Sequence, residues 1–382
     1  MLSVAFKMLI GNRASFIGVI FGIFLAILLI SQQSAIFLGL ISRSYRIVTD
    51  ISSPNVWVID PATNGEDLIR SMPQDYLGYI KSIPNIEWAV PINYSLFPLA
   101  VPSSGIFKVT EVYGIDDETL MGAPELIEGD IQNLHSDGAI ILDSKSAEGM
   151  LATILPDGST VPLKVGDVLE INGKRAVIVG IGKTIPGFFP QPAIFTTNSQ
   201  FQIFSGSDRI QYIGVKTKEG ADVNEVIHQI NSNSNAVGMT RDQLATRISD
   251  HFLKTGILIN FGLSVALGLI IGFSIAGQIF YIMTLHNLSY YALIKALGGT
   301  EKMILSMILM QAVIVGAIGY ILATGTTLLW GYAIKNTTLA FEFPWQLLVF
   351  TAFLAFVICI FITVLSAKKV FKLDPQILLI NI

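Results

Sequence analysis

Four stretches of the chain are free of Asp, Glu, Lys and Arg: 14–42, 255–294, 303–334 and 343–367. Each is dominated by Leu, Ile, Val, Phe, Ala and Gly, and each is longer than the roughly 20 residues of helix that cross a hydrocarbon core. The pattern predicts four transmembrane helices, near 15–41, 256–283, 304–329 and 346–367. The second stretch turns polar at His286 and Asn287, so its membrane part ends near Leu285. The first runs on past Ser31-Gln32-Gln33-Ser34 into Ala35-Ile36-Phe37-Leu38. That is too long for a signal-peptide core and predicts a retained anchor.

Between the first two spans the pattern changes. Asn55-Val56-Trp57-Val58-Ile59-Asp60 and Ile86-Glu87-Trp88-Ala89-Val90-Pro91 read as strands, with a helix over 66–83 that Pro73 interrupts or starts. Gln211 to Lys216 reads as a strand, Ala221 to Asn231 as a helix, and Ala236 to Met239 as a returning strand. Two β-α-β units thus flank the segment and are expected to pair into one α+β subdomain close to the membrane. A β-rich insert, about 100–205, lies between them. Phe107 to Gly114 alternates, Ala139 to Leu142 is a short apolar strand, and Val165 to Gly180 is a hairpin whose Asn172-Gly173 suits a type I′ turn.

Charge agrees with this division. Residues 43–254 hold 16 of the 24 Lys and Arg and 25 of the 28 Asp and Glu, a net charge of −9 within a chain of net −4. At 52% apolar and 14% charged, the 382 residues fit neither a uniformly soluble enzyme nor a disordered chain. Lys7, Arg13, Lys295, Lys302, Lys368, Lys369 and Lys372 flank one side of the spans, against Arg43, Arg46, Lys254 and Lys335 on the other. The excess places both termini in the cytoplasm and the 43–254 segment outside it. That segment holds no cysteine, since Cys359 stands alone in the fourth span, so packing without disulfides must hold it.

Candidate chemistry is thin. Gly180-Ile181-Gly182-Lys183-Thr184 has the look of a phosphate loop, but Val177 stands where the first glycine is needed and Pro186-Gly187 breaks any helix to follow. His135, His228, His251 and His286 show no metal-ligand spacing, and no Gly-x-Ser-x-Gly elbow occurs. The expectation is no catalytic, metal or cofactor-binding residue, no nucleic-acid partner, and no ATPase activity in this chain.

Interaction motifs are clearer. In the loop after the second span, Leu288, Tyr291, Ala292 and Lys295 fall at helical spacing, followed by Ala296, Leu297 and a stop at Gly298-Gly299. A short amphipathic helix there could dock in a groove of a soluble partner; Leu293 and Leu297, at i and i+4, share a face. Gly18 and Gly22, and Gly268 and Gly272, are small-xxx-small pairs that let helices approach closely, within or between copies. Phe188 and Phe189 sit in an apolar, Pro-rich turn that either closes the outer domain's core or meets another protein.

Leu293-Ile294-Lys295-Ala296-Leu297-Gly298-Gly299-Thr300 resembles the aliphatic-lysine-alanine-leucine-glycine motif of the MacB/FtsX-type ABC transporter permeases. Val370-Phe371-Lys372-Leu373-Asp374-Pro375 is similar to that family's C-terminal ending, and one span, a large outer domain and three spans is its layout. Asn55 to Pro61, Trp88 to Pro91, Val112 to Asp117 and Glu128-Gly129-Asp130 resemble its DevC-like branch. One departure is Ser289-Tyr290-Tyr291, where members usually carry charged residues, often Arg-Glu.

The resemblance implies an α-helical membrane protein of the bacterial inner membrane, with four transmembrane helices and a large α+β extracytoplasmic domain between the first two. Its parts are 1–42, the first span; 43–254, the periplasmic domain; and 255–382, spans two to four with a cytoplasmic coupling loop at about 284–302. Two copies pair with a cytoplasmic ABC ATPase, which binds the ATP and Mg. A periplasmic adaptor and an outer-membrane channel complete a tripartite exporter, with Phe188 and Phe189 as a possible adaptor contact. Lipoprotein release and regulation of a cell-wall hydrolase are the alternatives.

Overall fold

The computed structural model of the protein describes residues 2–64, 69–155, 157–184, 186–188, 191–233, 235–335 and 337–371. The chain divides into two compact units, one of Met1–Leu40 with Gly256–Ile382 and one of Ile41–Thr255.

Among the described residues, four helices are long and apolar enough to cross a membrane, and the first unit holds most of their length. Arg13–Ser44 follows a short helix, Leu2–Gly11, with the Asn12 side chain accepting from the Ser15 amide at 3.1 Å to cap the join. Glu301–Ala333 is capped by the Thr300 hydroxyl, which accepts from the Met303 amide at 3.4 Å. Trp345–Phe371 follows it after a short loop. The remaining span is built in pieces, Leu258–Ile271 and Gly277–His286, joined by a π-helical turn at Gly272–Ala276.

Apolar side chains alone do not drive helices together where lipid is the solvent, so close packing of small residues must. A Cβ on Gly22 would lie 3.0 Å from the backbone nitrogen of Ala276, and one on Gly39 would lie 2.6 Å from that of Phe341. Gly316 makes room for Cys359, whose thiol donates to the Ala312 carbonyl at 3.2 Å. Among the described residues, one buried cluster includes Ile23, Ile27, Phe280, Ile308, Val315 and Ile358.

The second unit is built on a ten-stranded sheet. Val56–Ile59 lies between Tyr212–Thr217 and Val237–Thr240, antiparallel to both, and Tyr212–Thr217 pairs on its other side with the start of Ile86–Val101. Each β-α-β unit is therefore split, its two strands separated by a strand of the other, which is the ferredoxin-like arrangement. Helices Asp75–Ser82 and Val223–Asn233 bury Tyr76, Leu77, Val226 and Ile230 against these strands. The expected helix over 66–83 is shorter: 65–68 lie outside the described residues, and the helix starts only after Pro73, whose ring bars helical continuation from upstream.

Ile86–Val101 does not stop at Pro91. It bends into the insert, where its second half pairs with Ile106–Ile115. One strand thus belongs to both halves of the sheet. Ile106–Ile115 pairs next in parallel with Ala193–Thr197, which leads to Ala139–Asp143 and Lys174–Lys183. Asn172 and Gly173, at φ 50° and 74°, turn the chain between Val168–Ile171 and Lys174–Lys183, as the Asn-Gly pair predicts.

The alternation read in 107–114 does not appear as one exposed and one buried face. Residues 107–109 are exposed and 110–115 are all buried, because both faces of the sheet are covered there. Helix Asn198–Ser205 lies so close on one side that a Cβ on Gly114 would be 2.6 Å from that of Phe201.

Candidate coupling site

The loop after the second span forms helix Leu288–Ala296, ended by Gly298 at φ 90°, a conformation only glycine adopts without strain. Its two faces differ in kind. Tyr291 is 1% exposed and Ala292 8%; Tyr291 belongs to the interior cluster of this unit, and Leu288 and Ile294 pack against it. Tyr290, Leu293 and Leu297 are 57%, 53% and 81% exposed. They stand at i, i+3 and i+7, one helical face.

The Leu288–Tyr291–Ala292–Lys295 stripe, singled out by spacing, is thus mostly the face that anchors the helix. Spacing defines a stripe but cannot say which stripe meets the chain's own core. Ala296 and Gly298 are exposed beside Leu297. Tyr290 is a residue that the motif reading passed over as a departure, and it lies beside Leu293 on the outward face.

The anchor is polar as well as apolar. The Tyr291 hydroxyl donates to Gln311 Oε1 at 3.0 Å, and Gln311 Nε2 donates to the Ala5 carbonyl at 2.9 Å. Gln311 and Ala5 are fully buried. One amide side chain therefore ties helix Leu288–Ala296 to helix Glu301–Ala333 and to helix Leu2–Gly11. A buried amide with both partners supplied fixes geometry, and one with a partner removed is costly. Asn12 Nδ2 stands 3.4 Å from His286 Nδ1, a second link between the chain's start and this loop.

The glycine pairs meet one another. Gly18 and Gly22 face Ile279, Ile275 and Ala276 of the second span, and Gly268 and Gly272 face Ala26 and Ile30 of the first, with Ile358 of the fourth beside Gly272. These contacts are between helices of one chain. Phe188 is 9% exposed, with its ring 4.3 Å from that of Phe252, so its side chain packs inward instead of offering a surface. Phe189 lies outside the described residues, as do residues 372–375 of the C-terminal motif.

The phosphate-loop-like run is structural. Gly180 and Gly182 lie in strand Lys174–Lys183, where a Cβ would meet Leu126 at 2.9 Å and Pro124 at 2.5 Å. The Thr184 hydroxyl donates to Asp143. Among the described residues, no group of three or more His, Cys, Asp or Glu is placed to hold a metal ion.

Comparison with known proteins agrees with this architecture. Residues 15–233 match the MacB-like periplasmic core domain and residues 262–375 the FtsX-like permease C-terminal domain. An uncharacterized ABC transporter permease of Methanocaldococcus jannaschii is 24% identical over 233 residues, 56% of this chain. The match spans 57% of that relative's length. The periplasmic region of MacB from Actinobacillus actinomycetemcomitans is similar at 13% identity and a TM-score of 0.39, over 53% of this chain and 95% of that one. The extracellular domain of the noncanonic ABC-type transporter YknZ from Gram-positive bacteria gives 12% and 0.36, over 49% and 100%. The first family description alone covers more than half of the sequence, and the second covers most of the rest: the chain belongs to the MacB/FtsX-type ABC transporter permeases.

Proposed function

We propose that the chain is the membrane subunit of an ATP-driven exporter. It works as a pair with a second copy of itself and with a separate cytoplasmic ABC ATPase, which binds the ATP and Mg. It lies in the bacterial inner membrane with both termini in the cytoplasm, and membrane lipid meets its outward apolar surface. The outer domain faces the periplasm, where it meets an adaptor and, through it, an outer-membrane channel, as in DevC-like systems. In this reading the chain transmits movement, and the hydrolysis of ATP belongs to the partner.

The observation that carries this reading is the helix Leu288–Ala296. Tyr291, Ala292 and the Gln311 tie hold one face rigidly, while Tyr290, Leu293 and Leu297 are left as an apolar face. Such an arrangement fits a knob seated in a partner's groove, with any push on the knob passing into the spans behind it. Substrate need not pass between the spans, because the one fully buried amide among their described residues, Gln311, has its bonds satisfied by Tyr291 and Ala5.

Leu293→Asp tests the reading. Leu293 is half exposed in the chain, so the variant's own stability should change by less than about 0.5 kcal/mol. In the partner's groove the same carboxylate would be buried without a counter-charge, a cost of several kcal/mol. Co-purification of the ATPase with the variant should fall at least tenfold, with membrane insertion and the outer domain's fold unchanged. Full recruitment by the variant would reduce this helix to a connector.

A further inference from the structure

Arg46 is among the largest side chains that are wholly buried in the protein, at 1% exposed. It stands on Arg46–Asp50, a short helix that follows directly on the first apolar helix after a break at Tyr45. Its Nε lies 3.1 Å from Asp50 Oδ2, its Nη2 lies 3.6 Å from Glu111 Oε2, and its guanidinium covers the Tyr113 ring at 5.0 Å. Glu111 is 2% exposed and belongs to strand Ile106–Ile115 of the insert. The Tyr113 hydroxyl donates to Glu111 Oε2 at 3.1 Å. Gly187 leaves the space the carboxylate needs, since a Cβ there would lie 2.7 Å from Glu111 Oε1.

The same short helix is held from a second direction. Arg241 Nε donates to the Val48 carbonyl at 3.0 Å and its Nη2 to that of Thr49 at 3.3 Å. Arg241 opens helix Arg241–Phe252, whose chain continues into the second apolar helix. The first residues of the Ile41–Thr255 unit and its last helix meet at this point. Arg46–Asp50 is the end of one connection, Arg241 reaches it from the other, and Arg46 passes from it to the insert sheet.

A buried ion pair is a poor source of stability, because desolvation of the charges offsets their attraction; apolar residues of the same volume often do as well. What the pair supplies is one arrangement out of many. We propose that Arg46 is a positioning residue that keys both connections to the insert, so that movement delivered along either reaches strand Ile106–Ile115 through the Arg46–Glu111 pair. This rests on the permease-and-ATPase reading above.

The test uses the full chain in lipid nanodiscs, with hydrogen exchange read by mass spectrometry. Arg46→Met should speed exchange of residues 47–51 and 110–115 at least tenfold and leave 212–217 unchanged. The double variant Arg46→Met/Glu111→Leu should recover the wild-type melting temperature but not the protection of 47–51. With the co-purified ATPase, ATP and vanadate should alter exchange at 106–115 in the wild type and not in the double variant. Unchanged exchange in Arg46→Met, equal acceleration at 212–217, or a full ATP–vanadate response in the double variant would each overturn the proposal. The first arm needs no ATPase. Failure of the wild-type chain to bind one would therefore strike the functional reading and leave the Arg46 linkage to be judged on exchange alone.

Discussion

Gln311 is a fully buried amide in a helix otherwise made largely of Met, Ile, Leu, Val and Ala, and its two bonds run to different elements. Gln311→Leu strands both the Tyr291 hydroxyl and the Ala5 carbonyl, at about 1–3 kcal/mol for each buried group left unpaired. Tyr291→Phe removes a single bond, worth about 1 kcal/mol, and leaves the tie to Ala5 intact. Limited proteolysis of the purified chain should therefore show residues 2–11 released in Gln311→Leu and protected in Tyr291→Phe; equal release in both would refute the relay. Gln311 is visibly polar within an apolar run, but its partners lie 20 and 306 positions away and no local pattern points to either.

Glu111 is the matching case in the second unit. Burial pushes its carboxyl above the usual range, with Arg46 and the Tyr113 hydrogen bond opposing that shift and Asp143 and Asp50 adding to it. A folded state that holds the proton more tightly than the unfolded chain is stabilised at low pH. Unfolding free energy then falls as pH rises from the ordinary carboxylate range through the raised value. Asp50, also raised by burial against the pull of Arg46, acts in the same direction. Melting temperature across about pH 5–8 should slope downward less steeply in Glu111→Gln than in the wild type. An unchanged slope would show that Glu111 is already ionised across that range.

At the scale of elements, the four apolar helices and most strands of the large sheet were legible because each depends on local periodicity and on charge-free length. Boundaries failed where tertiary contact decided them. Ile86–Val101 runs ten residues beyond Pro91 because two half-sheets share it. Residues 110–115 lost their alternation because elements pack on both faces. The glycine pairs showed that close approach was needed, yet nothing local says that Gly18 and Gly22 meet the same partner helix from which Gly268 and Gly272 look back. Gly22→Leu drives a side chain against the Ala276 backbone, where overpacking costs about 1–3 kcal/mol or more. Gly262→Leu is the control, since nothing lies within 4 Å of a Cβ there. The first should lower the detergent-solubilised melting temperature and the second leave it unchanged. Equal effects would mean that these glycines do not serve the contact between the first and second spans.

For the whole molecule, the unequal charge and the four apolar runs gave the class, and the loop motif marked the place where coupling is proposed. The face of that loop which stays free became visible only with the core it packs against. This free face is proposed to enter a cytoplasmic ATPase. The most direct measurement places a photo-crosslinking amino acid, one position at a time, at Leu293, Leu297 and Ala292 in cells that make the full transporter. Crosslinks to the ATPase are expected from 293 and 297 and none from 292, which is 8% exposed and faces inward. Crosslinks from 292 as strong as those from 293, or none from either leucine, would contradict it.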